Sequence, residues 1–292
     1  MRSSLFSTSR VIVLVALISA GACAQAPAAK LDLPAPSPTA TLKQRVGVTD
    51  IEVVYSRPSM KGREIFGKLE PYGAVWRTGA NNATRISFST AVKVQGSALA
   101  AGTYELFTIP GREEWTVIFQ KAGKQWGSYA YDQKNDTLRV AARVIDFGAP
   151  VETFTIDFNT LRDSSATMNL LWERTLISLK LEVDLSSLIP QIEAVMAGPG
   201  EKKPYVNAAM FYLDNGLDLK KALAWMDAAI AEQPDAFYYV YRKAKVQAAL
   251  GDKAGALATA KASLAAAIAK APSPLLRDEY VRLNNELIAS LK

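Results

Sequence analysis

The hydrophobic pattern of this chain changes its period once, at about Asp184, and no other feature constrains the fold as much. Before that point, apolar residues alternate with polar ones or fall in short runs between turn residues, which is typical of β-strands. After it, they recur at intervals of three and four residues, which is typical of amphipathic helices. We therefore predict a multidomain chain, with a β domain over residues 42–183 and an α-helical domain over residues 184–292.

The first domain is predicted to be an antiparallel β-sandwich or barrel, because short strands follow one another with turns between them. The strand candidates are residues 51–55, 85–89, 92–95, 103–109, 115–120, 138–147, 153–158, 167–172 and 176–183. An irregular stretch, residues 56–82, interrupts the series and is rich in glycine, arginine and aromatic residues. A long irregular loop in a compact domain is usually functional or disordered, and the aromatic residues in this one indicate order.

The second domain is predicted to hold about six helices of roughly 12–16 residues, paired as three hairpins. One apolar helix face is formed by Ala222, Trp225, Met226, Ala229 and Ile230. The region resembles tetratricopeptide units, because small residues and a proline have the spacing of that repeat. The matching residues are Ala222, Ala229 and Pro234 in one copy, and Ala244, Gly251 and Ala256 in a second. The resemblance implies a stack of helical hairpins and, by analogy, a protein partner.

Residues 1–24 are predicted to be a secretory signal. Two arginines give the segment a positive start, and its apolar stretch, residues 11–20, is shorter than the roughly 20 residues that span a membrane. Cleavage after Ala24 would release a soluble periplasmic or secreted protein. Cleavage before Cys23 would leave a lipid-anchored cysteine, and an uncleaved anchor is the third alternative. Residues 25–41, rich in proline and alanine, are predicted to be a flexible linker.

Composition excludes several classes of function. The chain has no histidine, and its single cysteine, Cys23, lies in the predicted signal. Imidazole bases, thiol nucleophiles, disulfides and metal sites built from imidazole or thiolate are therefore excluded from the exported part. The net charge of +6 is dispersed along the chain without a basic run, so we expect no nucleic-acid partner. We also predict no cofactor, no metal and no catalytic residue.

The irregular loop supplies most of the candidate ligand-binding residues. Arginine offers a planar fork for carboxylate or phosphate, asparagine adds an amide, and aromatic rings stack on ligands. The candidates are Arg57, Arg63, Trp76, Arg77 and Asn81, with Trp126 and Tyr129 from a later turn. They predict a pocket for an anionic or sugar-like ligand or another component of the cell envelope. The sequence leaves an alternative open, in which the arginines satisfy buried carbonyls or pair with Asp132, Asp136 or Asp157.

The same stretch carries a family resemblance. Its motifs are Tyr55-Ser56-Arg57-Pro58, Val75-Trp76-Arg77-Thr78-Gly79-Ala80-Asn81, Ala101-Gly102-Thr103-Tyr104 and Trp126-Gly127-Ser128-Tyr129. Through these motifs, residues of about 42–183 resemble the bacterial domain-of-unknown-function family 2911. The resemblance implies a bacterial exported protein but no particular activity, because the family has none assigned. It also implies an acidic residue at position 82, where this chain has Asn82.

Three functions remain from the sequence. The first is a non-enzymatic, exported binding or interaction protein whose β domain holds a small ligand. The second is a hydrolase that works without histidine and needs a carboxylate base near the same loop. The third is a structural scaffold of the envelope, in which the arginines are internally paired.

Overall fold

The computed structural model describes residues 31, 33–121, 123–200 and 202–292. The predicted signal, residues 1–24, and the candidate lipidation site Cys23 lie outside the described residues. Residues 36–292 form one compact unit. No helix in the described ranges combines the length and the hydropathy that crossing a bilayer requires.

Antiparallel strands make up the first domain, as predicted. Within the described ranges they are β1 (Thr39–Val46), β2 (Thr49–Ser56), β3 (Ala80–Phe88), β4 (Val92–Val94), β5 (Ser97–Leu99), β6 (Gly102–Ile109), β7 (Glu114–Lys121), β8 (Asp136–Asn159) and β9 (Ser165–Val183). Their order across the sheet is β1-β2-β3-β6-β7-β8-β9-β4-β5. Strands that follow each other in the chain mostly pair side by side, which is the usual arrangement when connections are short.

Strand β8 is long enough to belong to two parts of the sheet. Its first residues pair with β7, and from Val144 onward it pairs with β9. The pairing is irregular between Asp146 and Val151, where Gly148 adopts a φ of +85°. A bulge of this kind bends a strand and increases its twist, so β8 can leave one neighbour and join another.

The sheet closes on itself through the chain that follows β2. Phe154 N donates to Pro58 O at 2.8 Å, and Met60 N donates to Glu152 O at 2.8 Å. Both bonds join the start of the irregular loop to the second half of β8. The domain is therefore a barrel-like closed sheet, in agreement with the predicted sandwich or barrel.

The strand boundaries differ from the predicted ones in two ways. Residues 138–147 and 153–158 merge into β8, and residues 167–172 and 176–183 merge into β9, because the residues between them form bulges rather than turns. Strands β1 and β5 were not predicted. In β1 the residues before the buried Val46 alternate only between exposed and half-buried, and β5 is three residues long. Because β1 begins at Thr39, it includes the last three residues of the predicted linker.

The core of the β domain contains a cluster of large aromatic side chains, and the irregular loop contributes to it. Trp76 and Trp172 stack with ring centroids 5.7 Å apart, and Phe66 meets Trp115 edge-on at 4.7 Å. Ile65, Phe66 and Trp76 are all buried. Aromatic side chains bury about 150–250 Å² each, so the loop is held by its share of this core.

Six helices follow in the described part of the chain, as predicted. They are α1 (Leu188–Ala197), α2 (Tyr205–Asp214), α3 (Leu219–Glu232), α4 (Phe237–Ala249), α5 (Lys253–Lys270) and α6 (Pro274–Ser290). Helices α2 and α3 form one hairpin, α4 and α5 form a second, and α6 packs on α5, so the described helices do not pair as the three predicted hairpins. Asp218 and Asp252 cap α3 and α5 by accepting main-chain hydrogen bonds in the first turn.

The small residues of the tetratricopeptide-like pattern lie in the interior of the helical domain. Ala222, Ala229, Ala244 and Ala256 are buried, so helices can approach closely at these positions. The helical domain also contacts the β domain. Phe211 packs against the β core, and Asn215 Nδ2 donates to Asp163 Oδ2 at 3.1 Å.

Candidate functional site

The first half of the loop between β2 and β3, residues 57–66, is fastened to β8 and β9 by main-chain hydrogen bonds. Lys61 N donates to Glu152 Oε1 at 2.8 Å. Ile65 N and Phe66 N donate to the two carboxylate oxygens of Glu173, at 2.7 and 3.1 Å. Hydrogen bonds to a charged acceptor are stronger than neutral ones. These two glutamates therefore fix the path of the loop. No local pattern in the sequence predicted this role for them.

Two of the predicted ligand-binding arginines lie in this half, and both donate to their own domain. Arg57 Nε donates to Phe154 O at 3.0 Å, and its Nη2 donates to Thr155 Oγ1 at 2.7 Å. Arg63 Nε donates to Met60 O at 2.9 Å, and its Nη2 also donates to a main-chain carbonyl. This arrangement corresponds to one form of the alternative interpretation, in which the arginines satisfy carbonyls.

The aspartates named in that alternative have other partners. Asp136 accepts from Tyr131 and Arg139, and Asp157 accepts from Asn159 and Asn169. Asp132 caps a short 3₁₀ turn by accepting from Lys134 N. None of the three pairs with Arg57, Arg63 or Arg77 in the described structure. The loop arginines are thus not neutralised by these carboxylates.

Trp76 and Asn81 also contribute to the fold. Trp76 is only 2% exposed, and its Nε1 donates to Gly79 O at 3.0 Å. Asn81 Nδ2 donates to Ser37 O and to Ser56 Oγ, at 3.3 and 3.2 Å. The indole of Trp76 is therefore covered by its own domain, and the amide of Asn81 ties β3 to the chain around β1 and β2.

Arg77 differs from the other two arginines. Its side chain makes no hydrogen bond or ion pair with the residues that the structure describes, and its Nε is buried without an acceptor. An unpaired buried donor destabilises a protein by about 1–3 kcal/mol, so such groups are few in native structures. Arg77 is therefore the one of the three loop arginines whose side chain has no hydrogen-bond acceptor among the described residues.

Glu70 lies close enough to Arg77 for the two charges to interact. Burial raises the pKa of Glu70 from 4.5 to about 7, and the Arg77 guanidinium lowers it in part. The main chain of Glu70 is fixed, since its N donates to Ile65 O and its O accepts from Gly67 N, both at 2.9 Å. Near neutral pH this carboxyl is therefore protonated far more often than an ordinary glutamate, and it can donate or accept a proton.

The chain after Arg77 has an unusual backbone. Thr78 and Asn81 have φ values of 53° and 59°, and Gly79 has a φ of +150°. Positive φ is rare for a β-branched residue such as threonine. Thr78 is fully buried, and Thr84 Oγ1 donates to its carbonyl at 2.5 Å. Strained backbone persists where the surroundings fix it, and it is concentrated at functional sites.

Trp126 and Tyr129 are exposed, unlike Trp76. Trp126 is 65% and Tyr129 is 81% exposed, and their rings stack with centroids 5.7 Å apart and an interplanar angle of 20°.

Arg77 and Trp126 lie at opposite edges of the first half of β3. Arg77 O accepts from Thr84 N on one edge, and Gln125 O accepts from Ala83 N on the other.

The predicted site residues do not come together around one cleft. None of the seven candidates lines any of the five best-outlined surface clefts in the described part of the chain. The structure instead separates two candidate sites, the Glu70–Arg77 pair and the Trp126–Tyr129 pair. The sequence predicted three of these four residues and missed Glu70, because its raised pKa depends on burial in the folded protein.

Comparison with known proteins finds a family match for part of the chain. Residues 37–181 match the model of a family described as "Protein of unknown function (DUF2911)". No curated protein and no solved structure matches the chain. The matched segment spans nearly the whole β domain, including both candidate sites.

Proposed function

Because this chain belongs, through its β domain, to the family described as protein of unknown function DUF2911, we propose a function from its own residues. We propose that it is an exported, non-enzymatic binding protein of the cell envelope. Its β domain takes a small anionic ligand at Arg77 and Glu70. The helical hairpins provide a separate surface for a protein partner.

The observation that carries this proposal is the missing hydrogen-bond acceptor of Arg77. Arg57 and Arg63 have acceptors within their own domain, whereas the Arg77 side chain has none among the described residues. Guanidinium groups bind carboxylate and phosphate through two parallel hydrogen bonds. An oxyanion at Arg77 would supply the missing acceptor and offset the free-energy cost of the unpaired donor.

Glu70 gives this site a second donor. When protonated, its carboxyl can donate one hydrogen bond to a ligand oxygen; when ionised, it is an acceptor only and repels an anion. Because its pKa is about 7, both forms are populated near neutral pH. The pair therefore favours an anionic ligand with an additional acceptor oxygen, such as a carboxylate or a phosphate monoester.

The experiment is a thermal-shift screen of carboxylates, phosphates and acidic sugars, on the wild type and on Arg77→Ala. Arg162→Ala is the matched control, because Arg162 is exposed and its side chain donates only to Leu161 O in the described structure. A ligand at a hundredfold excess over its dissociation constant stabilises the native state by about 2.7 kcal/mol. We expect one anionic class to raise Tm in the wild type and in Arg162→Ala.

The same ligand should leave the Tm of a folded Arg77→Ala variant unchanged. A flat screen would contradict the proposal if Arg77→Ala also melts well below the wild type. That result would mean that Arg77 serves the fold, and it would favour the envelope scaffold.

One observation favours a second candidate, the histidine-independent hydrolase. A carboxyl with a pKa of about 7 suits a general acid or base at neutral pH. The hydrolase needs a carboxylate base near the loop between β2 and β3, and Glu70 lies in that loop. The test is a panel of ester, glycoside and phosphate substrates with wild type and Glu70→Gln. Turnover that Glu70→Gln abolishes without loss of Tm would establish this candidate, and equal turnover in both proteins would exclude it.

A further inference from the structure

The exposed aromatic pair, Trp126 and Tyr129, is held by a main-chain hydrogen bond to β3 and by close packing within its turn. The chain around it adds to the edge of β3, since Gly127 N donates to Asn81 O at 2.9 Å. A side chain on Gly127 would collide with Tyr129, because a Cβ at this position would lie 2.6 Å from the Tyr129 ring. Gly127 also has a φ of +69°. The two rings are therefore held outward by a rigid turn, which lowers the entropic cost of binding.

A polar network beneath the turn reinforces this arrangement. Glu105 is buried, and its carboxylate accepts from Gln125 N at 2.6 Å and from Gln125 Nε2 at 3.0 Å. Gln125 Nε2 donates in turn to Gln120 Oε1 at 2.7 Å. The residue before Trp126 is thus fixed to β6 and β7, and the exposure of Trp126 is not the result of a loosely held loop.

The connection that carries the aromatic pair has more exposed basic than acidic residues. Lys124 and Lys134 are exposed between β7 and β8, and Lys121 is exposed at the end of β7, against one exposed acid in the connection, Asp132. Exposed aromatic rings and exposed lysines in one connection suit a partner whose negatively charged surface covers an apolar layer. The lysines would contact the charged surface, and the rings would reach towards the apolar layer.

We propose that the connection between β7 and β8 is a membrane-contact surface, with Trp126 and Tyr129 entering the headgroup layer of an anionic bilayer. Tryptophan and tyrosine concentrate at membrane–water interfaces because their rings are amphipathic. Lysines near an anionic surface strengthen binding by about fivefold each. The surface lies on the opposite edge of β3 from Arg77, so this inference goes beyond the proposed ligand site and does not depend on it.

The tryptophan fluorescence of this protein makes the contact directly measurable. Of its five tryptophans, Trp76, Trp115 and Trp172 are buried and Trp225 is half-buried, whereas Trp126 is exposed. The full chain is titrated with vesicles of phosphatidylglycerol and phosphatidylcholine, and with vesicles of phosphatidylcholine alone. We expect a blue shift, and quenching by dibrominated lipid, only with the anionic vesicles. Both signals should be absent in Trp126→Phe.

Binding is then compared between variants by co-sedimentation, so that any contribution of residues 1–30 is common to all of them. We expect Trp126→Ala with Tyr129→Ala to weaken binding by at least about tenfold. Lys124→Gln with Lys134→Gln should weaken it by roughly 25-fold. The matched controls are Leu275→Ala and Lys261→Gln, which remove an exposed apolar side chain and an exposed charge from the helical domain. They should change binding by less than about twofold.

Two results would overturn the inference. One is an unquenched Trp126 at vesicle concentrations that bind the chain, which would place the contact elsewhere. The other is shielding of Trp126 by an acidic polysaccharide such as polygalacturonate, with none by anionic vesicles. That outcome would identify the surface as a glycan site.

Discussion

The two halves of the loop between β2 and β3 contain the same residue types and use them in opposite ways. In residues 57–66, both arginines donate to main-chain carbonyls of the β domain, and Glu152 and Glu173 accept from the loop. In residues 70–77, the buried Nε of Arg77 has no acceptor in the described chain, and Glu70 has a raised pKa. Composition alone therefore does not separate an arginine that is hydrogen-bonded within the fold from one that is not.

The difference follows from what lies opposite each half. Residues 57–66 run along the second half of β8 and the adjacent β9, whose carbonyls and carboxylates offer acceptors. Residues 70–77 lie beside β6 and the chain that follows it, where Gly73 N donates to Pro110 O and Trp76 exchanges two main-chain hydrogen bonds with Thr108. These bonds use the main chain, so the second half is held in place without hydrogen bonds from the Glu70 and Arg77 side chains.

The largest effect is expected at Trp76, where the second half reaches the core. Trp76→Ala removes a fully buried indole that stacks on Trp172 and leaves a cavity. Its free energy of unfolding should fall by about 3–5 kcal/mol, measured by urea denaturation. Trp126→Ala is the control, with an expected loss below about 0.5 kcal/mol because its side chain is exposed. Similar losses in the two variants would contradict the assignment of Trp76 to the core.

The next effect compares the two arginines directly. Arg57→Ala leaves the Phe154 carbonyl without its side-chain donor, so stability should fall by about 2 kcal/mol. Arg77→Ala should change stability by less than about 0.5 kcal/mol or increase it, because it removes an unpaired buried donor. Both variants are measured by urea denaturation in the same buffer. A larger loss for Arg77→Ala would remove the distinction between the two halves.

The third effect is a dependence of stability on pH. The pKa of Glu70 is about 7 in the folded protein, above its ordinary 4.5, so between these values the folded state binds more protons than the unfolded state. Its contribution to stability is present below pH 4.5 and is lost as the pH rises through about 7. Glu70→Gln should therefore have a flatter stability profile than the wild type between these limits. Parallel profiles would show that burial of Glu70 is weaker than the structure indicates.

The smallest effect tests the coupling between the two charges. The guanidinium of Arg77 lowers the pKa of Glu70, so Arg77→Ala should raise it above the wild-type value of about 7. The measurement is a carbon-13 NMR titration of the Glu70 carboxyl in the wild type, in Arg77→Ala and in the control Arg162→Ala. An unchanged pKa in Arg77→Ala would mean that the two residues do not form one site.

The sequence predicted the fold class because periodicity depends only on local alternation. It predicted the buried alanines of the helical hairpins for the same reason, since each small residue occupies a regular place on a helix face. Strand β1 was not predicted, because its apolar residues alternate with polar ones only weakly and directly follow a proline-rich stretch.

The candidate site was predicted less well, because its properties arise between residues that are far apart in the chain. Nothing in the residues around Arg57 indicates that Phe154 and Thr155 will accept its hydrogen bonds. Similarly, the residues next to Glu70 in the sequence do not distinguish it from an ordinary surface glutamate. Only its burial in the folded protein raises its pKa. Trp126 and Trp76 both lie in irregular stretches close to glycine, and the fold alone makes one exposed and the other buried.

The closure between the β2–β3 loop and β8 determines when the protein can finish folding. Lys61, Arg57 and Ile65 find their partners 91, 97 and 108 residues further along the chain. Contacts so distant in sequence form late, because the intervening chain must first be ordered. A chain emerging amino-terminus first would therefore keep the loop and its free arginine open until β9 has appeared. The proposed anion site and the closed barrel would then form in one step, after most of the domain has emerged.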